Sequence, residues 1–176
     1  MCGTMRFQTP WLIAMGITLL SAGIIQAQTS PASDTATLVV KGEVKQELRL
    51  SAADLKVLPR TRVTAKGHDS ISREYEGVTL QTLLVKAGAP MGHELRGKNM
   101  TMVAVLAASD DYHAVFSLAE LDADFAGAQV LVADAADGKP LDAQHGPVQA
   151  VVPGDKRERR WVRMLTTIRV LKAGGS

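Results

Sequence analysis

The regular segments of this chain are short, and turn or cap signals separate them. Residues 44–50 alternate apolar and charged side chains with a period of two, which predicts a half-buried strand. Ser51 and Asp54 follow at capping-box spacing, so a helix of one to two turns is expected next. Thr79 is placed to cap a second helix over residues 80–87. A chain built from such pieces favours small sheets with brief helices packed on them.

Further strands are predicted where β-branched, methionine and aromatic residues cluster. Ser117 and Glu120 repeat the capping-box spacing, and Gly88 is placed to end the second helix in a left-handed conformation. The other predicted strands are residues 37–41, 60–66, 75–78, 98–107, 112–116, 129–133, 148–152 and 167–171, with a turn at 137–140. Short strands interleaved with brief helices indicate a mixed sheet of the α+β or β-rich class rather than a doubly wound nucleotide-binding fold.

The most apolar stretch lies near the start of the chain. Residues 11–25 carry no charge and follow a short segment that contains Arg6, which is the layout of a signal peptide. We expect cleavage after Ala27, with a signal peptide over 1–27, a flexible leader over 28–36, the domain over 37–172 and a tail over 173–176. The alternative is an uncleaved anchor, but these 15 residues fall short of the roughly 20 needed to span a bilayer.

Cysteine usage and charge restrict the chemistry of the processed protein. Cys2 is the single cysteine and would leave with the signal peptide, so no disulfide, thiol nucleophile or thiolate ligand would remain. The formal net charge is +2 and 46% of residues are hydrophobic, values that suit one globular domain. This balance predicts no bulk affinity for nucleic acid, and no membrane span is expected after cleavage.

Basic residues concentrate in one short segment. Residues 156–163 read KRERRWVR, in which five of eight residues are basic. Guanidinium groups match phosphate and carboxylate oxygens with two parallel hydrogen bonds, so an anion site is expected there first.

Six short motifs follow one another in a fixed order within residues 38–171. They are YEGVTL at 75–80, DYHA at 111–114, DGKPL at 137–141, HGPV at 145–148, VVPG at 151–154 and RWVR at 160–163. This ordered set resembles one known family, the oxidoreductase molybdopterin-binding domain of the sulfite oxidase type.

The resemblance implies an α+β fold around a mainly antiparallel sheet system. It also implies a molybdenum centre, held by a pterin dithiolene and one cysteine thiolate, that transfers oxygen to or from substrates such as sulfite or sulfoxides. In the family that cysteine lies in the loop after the strand matching residues 60–66, and here the loop over 67–72 reads GHDSIS. Gln149 stands where the family commonly has a basic residue. Neither Ser nor Asp reproduces a thiolate donor, so oxygen-atom transfer is not expected.

Two histidines and the basic segment are the candidate ligand contacts. His68, in the sulfur-free loop, could replace the missing ligand as an imidazole, or it could be a solvated loop residue. His145 could donate to a pterin or phosphate, or satisfy a backbone carbonyl at a tight turn. The basic segment could bind the cofactor phosphate, where the family places basic residues, or form a solvated edge. The predicted cofactor-binding set is His68, His145, Lys156, Arg157, Arg159, Arg160 and Arg163, with no catalytic residue or metal ligand assigned.

These observations predict a periplasmic or secreted domain of the molybdopterin-oxidoreductase type. We expect it to bind molybdopterin, another pterin-type molecule or some other small anionic ligand without being a competent oxygen-atom transferase. Two alternatives stay open. One is a non-catalytic periplasmic interaction or sensor module that docks a protein partner. The other is a molybdopterin-dependent oxidoreductase whose metal has a ligand other than cysteine, for which His68 is the candidate.

Overall fold

The computed structural model describes residues 37–174, so the predicted signal peptide, its cleavage site and the leader lie outside the described residues. Within this range ten strands and three α-helices are present, which confirms the α+β class. The strands are β1 (Leu38–Gly42), β2 (Leu48–Leu50), β3 (Thr61–Lys66), β4 (Ser72–Thr79), β5 (Met102–Ala108), β6 (His113–Ser117), β7 (Leu131–Ala136), β8 (Lys139–Pro140), β9 (Gln149–Val151) and β10 (Leu165–Lys172). The helices are α1 (Ala52–Val57), α2 (Leu80–Ala87) and α3 (Leu118–Leu121).

The strands form two five-stranded sheets. The first sheet has the order β2-β1-β10-β5-β6, and the second has β3-β4-β7-β8, with β9 also paired to β7. Strands β1 and β10 run parallel, and every other paired strand in residues 37–174 is antiparallel. The mainly antiparallel arrangement expected from the resemblance is therefore present.

The helices begin and end where the sequence predicts. Ser51 and Asp54 form the full capping box at α1, and Thr79 Oγ1 accepts from the Thr82 amide at the start of α2. Gly88 ends α2 in the left-handed region at φ 73°. Helix α2 buries its apolar side, Leu80, Leu83, Leu84 and Ala87, in the main core against the inner face of the first sheet. In the part of the chain that the structure describes, no helix is long and apolar enough to cross a membrane.

Two predicted strand boundaries are wrong. In the strand predicted over 44–50, residues 44–46 form bends and residue 47 is irregular, and the Gln46 amide donates to the Ala87 carbonyl at the end of α2. In the segment 98–107, the first residues form a 3-10 helix (Gly97–Thr101) before β5. There Asn99 and Thr101 donate side-chain hydrogen bonds to the Glu94 and Lys98 carbonyls, which offers the backbone an alternative to the sheet.

A smaller core covers part of the outer face of the second sheet. Its buried members are Val63, Ala65, Tyr75, Leu131, Ala133 and Val151. The half-buried Trp161 packs on this group, with its ring centroid 5.5 Å from that of Tyr75 in an edge-to-face contact. Trp161 Nε1 donates to the Val152 carbonyl at 3.1 Å, so the indole is fixed at both ends. This packing sets one wall of the cleft described next.

Candidate functional site

A cleft of about 470 Å³ opens between the end of β3, the β3–β4 loop and the segment 153–161. Ala65, Pro153 and Trp161 supply its apolar lining. The polar lining consists of three hydroxyls, two ammonium groups and two carboxylates, from Thr64, Ser70, Ser72, Lys66, Lys156, Asp155 and Glu158. Hydroxyl and ammonium donors around a small apolar floor suit a ligand with anionic oxygens.

The charges in the cleft are not mutually cancelled. Asp155 is paired with Arg160, whereas neither Lys66 nor Lys156 forms an ion pair with any residue in 37–174. Glu158 is likewise without an ion-pair partner within that range. Among the lining residues, two lysines and one glutamate therefore lack an ion-pair partner in residues 37–174, which leaves the lining with an excess of positive charge.

An ion pair between the β3–β4 loop and the start of β4 holds the loop that borders the cleft. Arg73 donates from Nη1 and Nη2 to the two carboxylate oxygens of Asp69, at 2.9 and 2.6 Å. The Ile71 amide also donates to Asp69, at 3.0 Å. These hydrogen bonds from Arg73 and Ile71 lower the pKa of Asp69 to about 2. The loop is thus held to the start of β4 by the Asp69 side chain.

The Asp69–Arg73 pair predicts a pH-dependent stability. A carboxylate with a depressed pKa stabilises the folded state fully above its ordinary pKa of ~3.9, and the effect is lost as pH falls toward the folded value of about 2. Asp69→Asn should therefore lower Tm at pH 5–7, and the difference from the unmodified protein should shrink between pH 4 and pH 2. Thermal melts across this range measure it. Asp124→Asn, which removes an exposed carboxylate that forms no ion pair or side-chain hydrogen bond within residues 37–174, is the control, and a difference constant down to pH 2 would contradict the prediction.

Arg160 holds together three parts of the chain. Its Nε and Nη2 donate to the two oxygens of Asp155 at 2.8 and 2.6 Å, and Nη1 donates to Glu120 at 2.7 Å. The guanidinium carbon also lies 4.7 Å from the ring centroid of Phe116, a cation–π distance. Arg160 was predicted to contact an anion, but its three side-chain nitrogens already donate to protein carboxylates.

The two candidate histidines lie apart from the cleft lining. His68 is exposed in the β3–β4 loop. The Nδ1 atom of His145 lies 2.7 Å from a carboxylate oxygen of Asp142, and hydrogen bonding to His145 lowers the pKa of Asp142. The partner of the His145 side chain is thus a carboxylate rather than the backbone carbonyl considered above.

Of the seven predicted contacts, Lys156 alone lines the cleft. Arg157, Arg159 and Arg163 are exposed, and the Arg159 carbonyl accepts from the Tyr112 hydroxyl. The cleft residues that sequence reasoning missed are Thr64, Lys66, Ser70, Ser72, Asp155 and Glu158. Alternation along β3 separates Thr64 and Lys66 from the buried Val63 and Ala65, but it does not predict the cleft, because Ala65 lines it as well.

Gln149 is a buried polar residue on the same side of the second sheet as the smaller core. It is 2% exposed, and its Oε1 is the one buried side-chain oxygen or nitrogen in residues 37–174 without a hydrogen-bond partner. In β9 its side chain alternates with Ala150, which points into the main core, so Gln149 shares the face of Val151 and Trp161. An unpaired buried acceptor costs about 1–3 kcal/mol. Gln149 is not among the residues lining the cleft.

The donor groups do not fit a thiolate-held molybdenum centre. Cys2 is the single cysteine of the sequence and lies outside the described residues. In the β3–β4 loop Asp69 is engaged by Arg73. Within residues 37–174, no three side chains of the His, Cys, Asp and Glu types come together as a metal-binding group.

Comparison with known proteins agrees with the fold described here. The family model described as "Oxidoreductase molybdopterin binding domain" matches residues 25–174. Among solved structures, the sulfane dehydrogenase SoxCD from Paracoccus pantotrophus superposes with a TM-score of 0.59 at 22% sequence identity. The match covers 78% of this chain and 39% of that one, so the chain spans well under half of its structural neighbour. No curated protein sequence matches significantly.

Proposed function

Because this chain belongs to the oxidoreductase molybdopterin-binding domain family, we propose that it binds a pterin-type or other small anionic ligand in the cleft. The proposal includes that the domain is exported. We propose further that it is not a competent oxygen-atom transferase. The observation that carries the first part is the pair of unpaired lysines, Lys66 and Lys156, beside three hydroxyls in one cleft.

The cleft composition supports an anionic ligand over a neutral one. Desolvating an ammonium without a counter-charge is unfavourable, so free lysines in a concave site gain most from an anion that reaches both of them. Asp155 adds little repulsion because Arg160 neutralises it, and Glu158 offsets only one of the two lysines. Trp161 and Ala65 offer apolar contact to the body of the ligand.

The missing thiolate supports the second part of the proposal. When bound, a molybdenum pterin group would supply two-electron oxygen transfer, and in the family a cysteine sulfur holds it. In this chain the corresponding loop is closed by the Asp69–Arg73 pair, and it contains hydroxyls where a thiolate would be needed. Ser and Thr hydroxyls remain protonated near neutral pH and donate hydrogen bonds, so they suit an oxyanion better than a soft metal ion.

One experiment tests both parts. Protein processed and exported in a molybdenum-replete host is analysed for molybdenum and pterin, and phosphate and pterin-6-carboxylate are titrated by calorimetry. We expect no stoichiometric molybdenum, and we expect the double variant Lys66→Glu/Lys156→Glu to bind the anions at least about tenfold more weakly, because both ammonium contacts are reversed.

Lys56→Glu is the matched control, because Lys56 is an exposed lysine of α1 outside the cleft. Its affinity should equal that of the unmodified protein. Stoichiometric molybdenum in the exported protein would overturn the non-catalytic part. Anion binding that is absent, or that is unchanged in the double variant, would overturn the cleft as the site.

A further inference from the structure

The outer face of the first sheet is uncovered in the described structure. Its strands alternate cleanly, since Leu38, Val40, Ala104, Leu106, Phe116, Ile168 and Val170 point into the main core. The helices pack on that inner side, as α2 does against β1 and α3 against β5 and β6. The intervening side chains therefore point outward, away from both the core and the helices.

Apolar side chains on this outer face come from β5, β6 and the end of β10. Arg169 of β10 is paired with Val105 of β5, which is paired with Val115 of β6. In the next row Leu171 is paired with Val103. Val115 is 52% exposed and Leu171 is 38% exposed. Side chains in register on neighbouring strands touch, so these residues form one patch rather than scattered apolar positions.

Cations border the patch on one side. Lys41 of β1 lies directly across from Arg169 of β10, and Arg49 of β2 lies across from Val39. Lys41 and Arg169 form no ion pair with any described residue, whereas Arg49 contacts Glu47 at 3.0 Å. None of the outward strand positions of this sheet carries Asp or Glu. Two neighbouring unpaired cations in register repel each other, and an external carboxylate would relieve that repulsion.

We propose that this outer face, centred on Val105 and Val115 and edged by Lys41 and Arg169, docks a protein partner whose surface has an apolar centre and a carboxylate edge. Charge complementarity selects the partner, because opposite charges at an interface steer encounter and fix the register. A second copy of the chain is a poorer match, since the same face would present Lys41 and Arg169 but no outward strand carboxylate to receive them. The cleft lies on the other sheet, so docking and ligand binding are separable.

The test uses a photo-crosslinking amino acid at His113, an exposed position on the β6 edge of the same face. The full chain carrying it is expressed in its own host and irradiated, and the crosslinked protein is identified and purified. We expect an acidic partner whose affinity for the chain falls at least about tenfold in Lys41→Glu/Arg169→Glu and falls with rising salt. A partner carboxylate changed to lysine should restore binding to Arg169→Glu.

Lys86→Glu, on the exposed side of α2, is the matched control and should bind the partner normally. Retained anion binding in the cleft shows that Lys41→Glu/Arg169→Glu is folded. Crosslinking to lipid alone, to a second copy alone, or to nothing would overturn the proposal. An affinity that is unmoved by the charge reversal would overturn it as well.

Discussion

Gly77→Ala is expected to lower the free energy of unfolding by at least about 3 kcal/mol. Gly77 lies where β4 pairs with β7 at a register shift. A Cβ built at Gly77 would be 2.0 Å from the Val132 carbonyl oxygen and 2.6 Å from the Ala133 Cα. Both contacts are with backbone atoms of a central strand, so relief requires parting β4 from β7.

Urea denaturation followed by circular dichroism measures this effect. Gly154→Ala is the matched control, because a Cβ at Gly154 meets no atom within 4 Å. The control should stay within about 0.5 kcal/mol of the unmodified protein. If Gly77→Ala proved as stable as Gly154→Ala, the close approach of β4 and β7 would be wrong.

Arg160→Met is expected to lower the free energy of unfolding by about 2 kcal/mol in the absence of any ligand. The change removes three hydrogen bonds and the contact with Phe116, and it leaves Asp155 and Glu120 without their cation. The guanidinium is 37% exposed, so water screens part of the loss and the effect stays below that of a fully buried pair. We therefore predict that Arg160 holds the segment bordering the cleft in place and does not itself bind the ligand.

Two further variants test whether the effect comes from the ion pair between Arg160 and Asp155. Arg157→Met removes an exposed neighbouring guanidinium that forms no ion pair within the described range, and it should change stability little. Asp155→Asn should cost less in the Arg160→Met background than in the unmodified protein, and this coupling is the signature of a direct interaction. Equal stabilities for Arg160→Met and Arg157→Met would contradict the prediction.

Local signals predicted the helices well because each depends on a few adjacent residues. Ser51 with Asp54, Thr79 with Thr82, and Gly88 form their capping contacts within one turn of the chain. The strand boundaries at 44–47 and 98–101 failed where side chains or distant carbonyls offered the backbone other partners, such as Ala87 for Gln46. The periodicity of a segment does not contain that information.

The cleft was harder to predict because its parts are distant in the sequence. Lys66 is the last residue of β3, whereas Lys156 lies in the segment between β9 and β10, and neither belongs to a motif with recognisable spacing. The basic segment correctly indicated one side of the cleft. Its Arg160, however, donates to Glu120, 40 residues earlier in the chain. From the sequence alone, each such cation is a candidate for binding an external anion. The fold determines which of them already have a counter-ion in the protein.

Strand β10 completes the first sheet, although it follows all the other strands of that sheet in the sequence. This strand joins β1 on one side and β5 on the other, so the first sheet consists of two separate hairpins until residues 165–172 arrive. Two-stranded ribbons are marginal in water, and the pairing of β1 with β10 bridges more than a hundred residues. A nascent chain therefore cannot complete its first sheet until residues 165–172 have emerged, so proteases can reach the two hairpins for as long as that strand is missing.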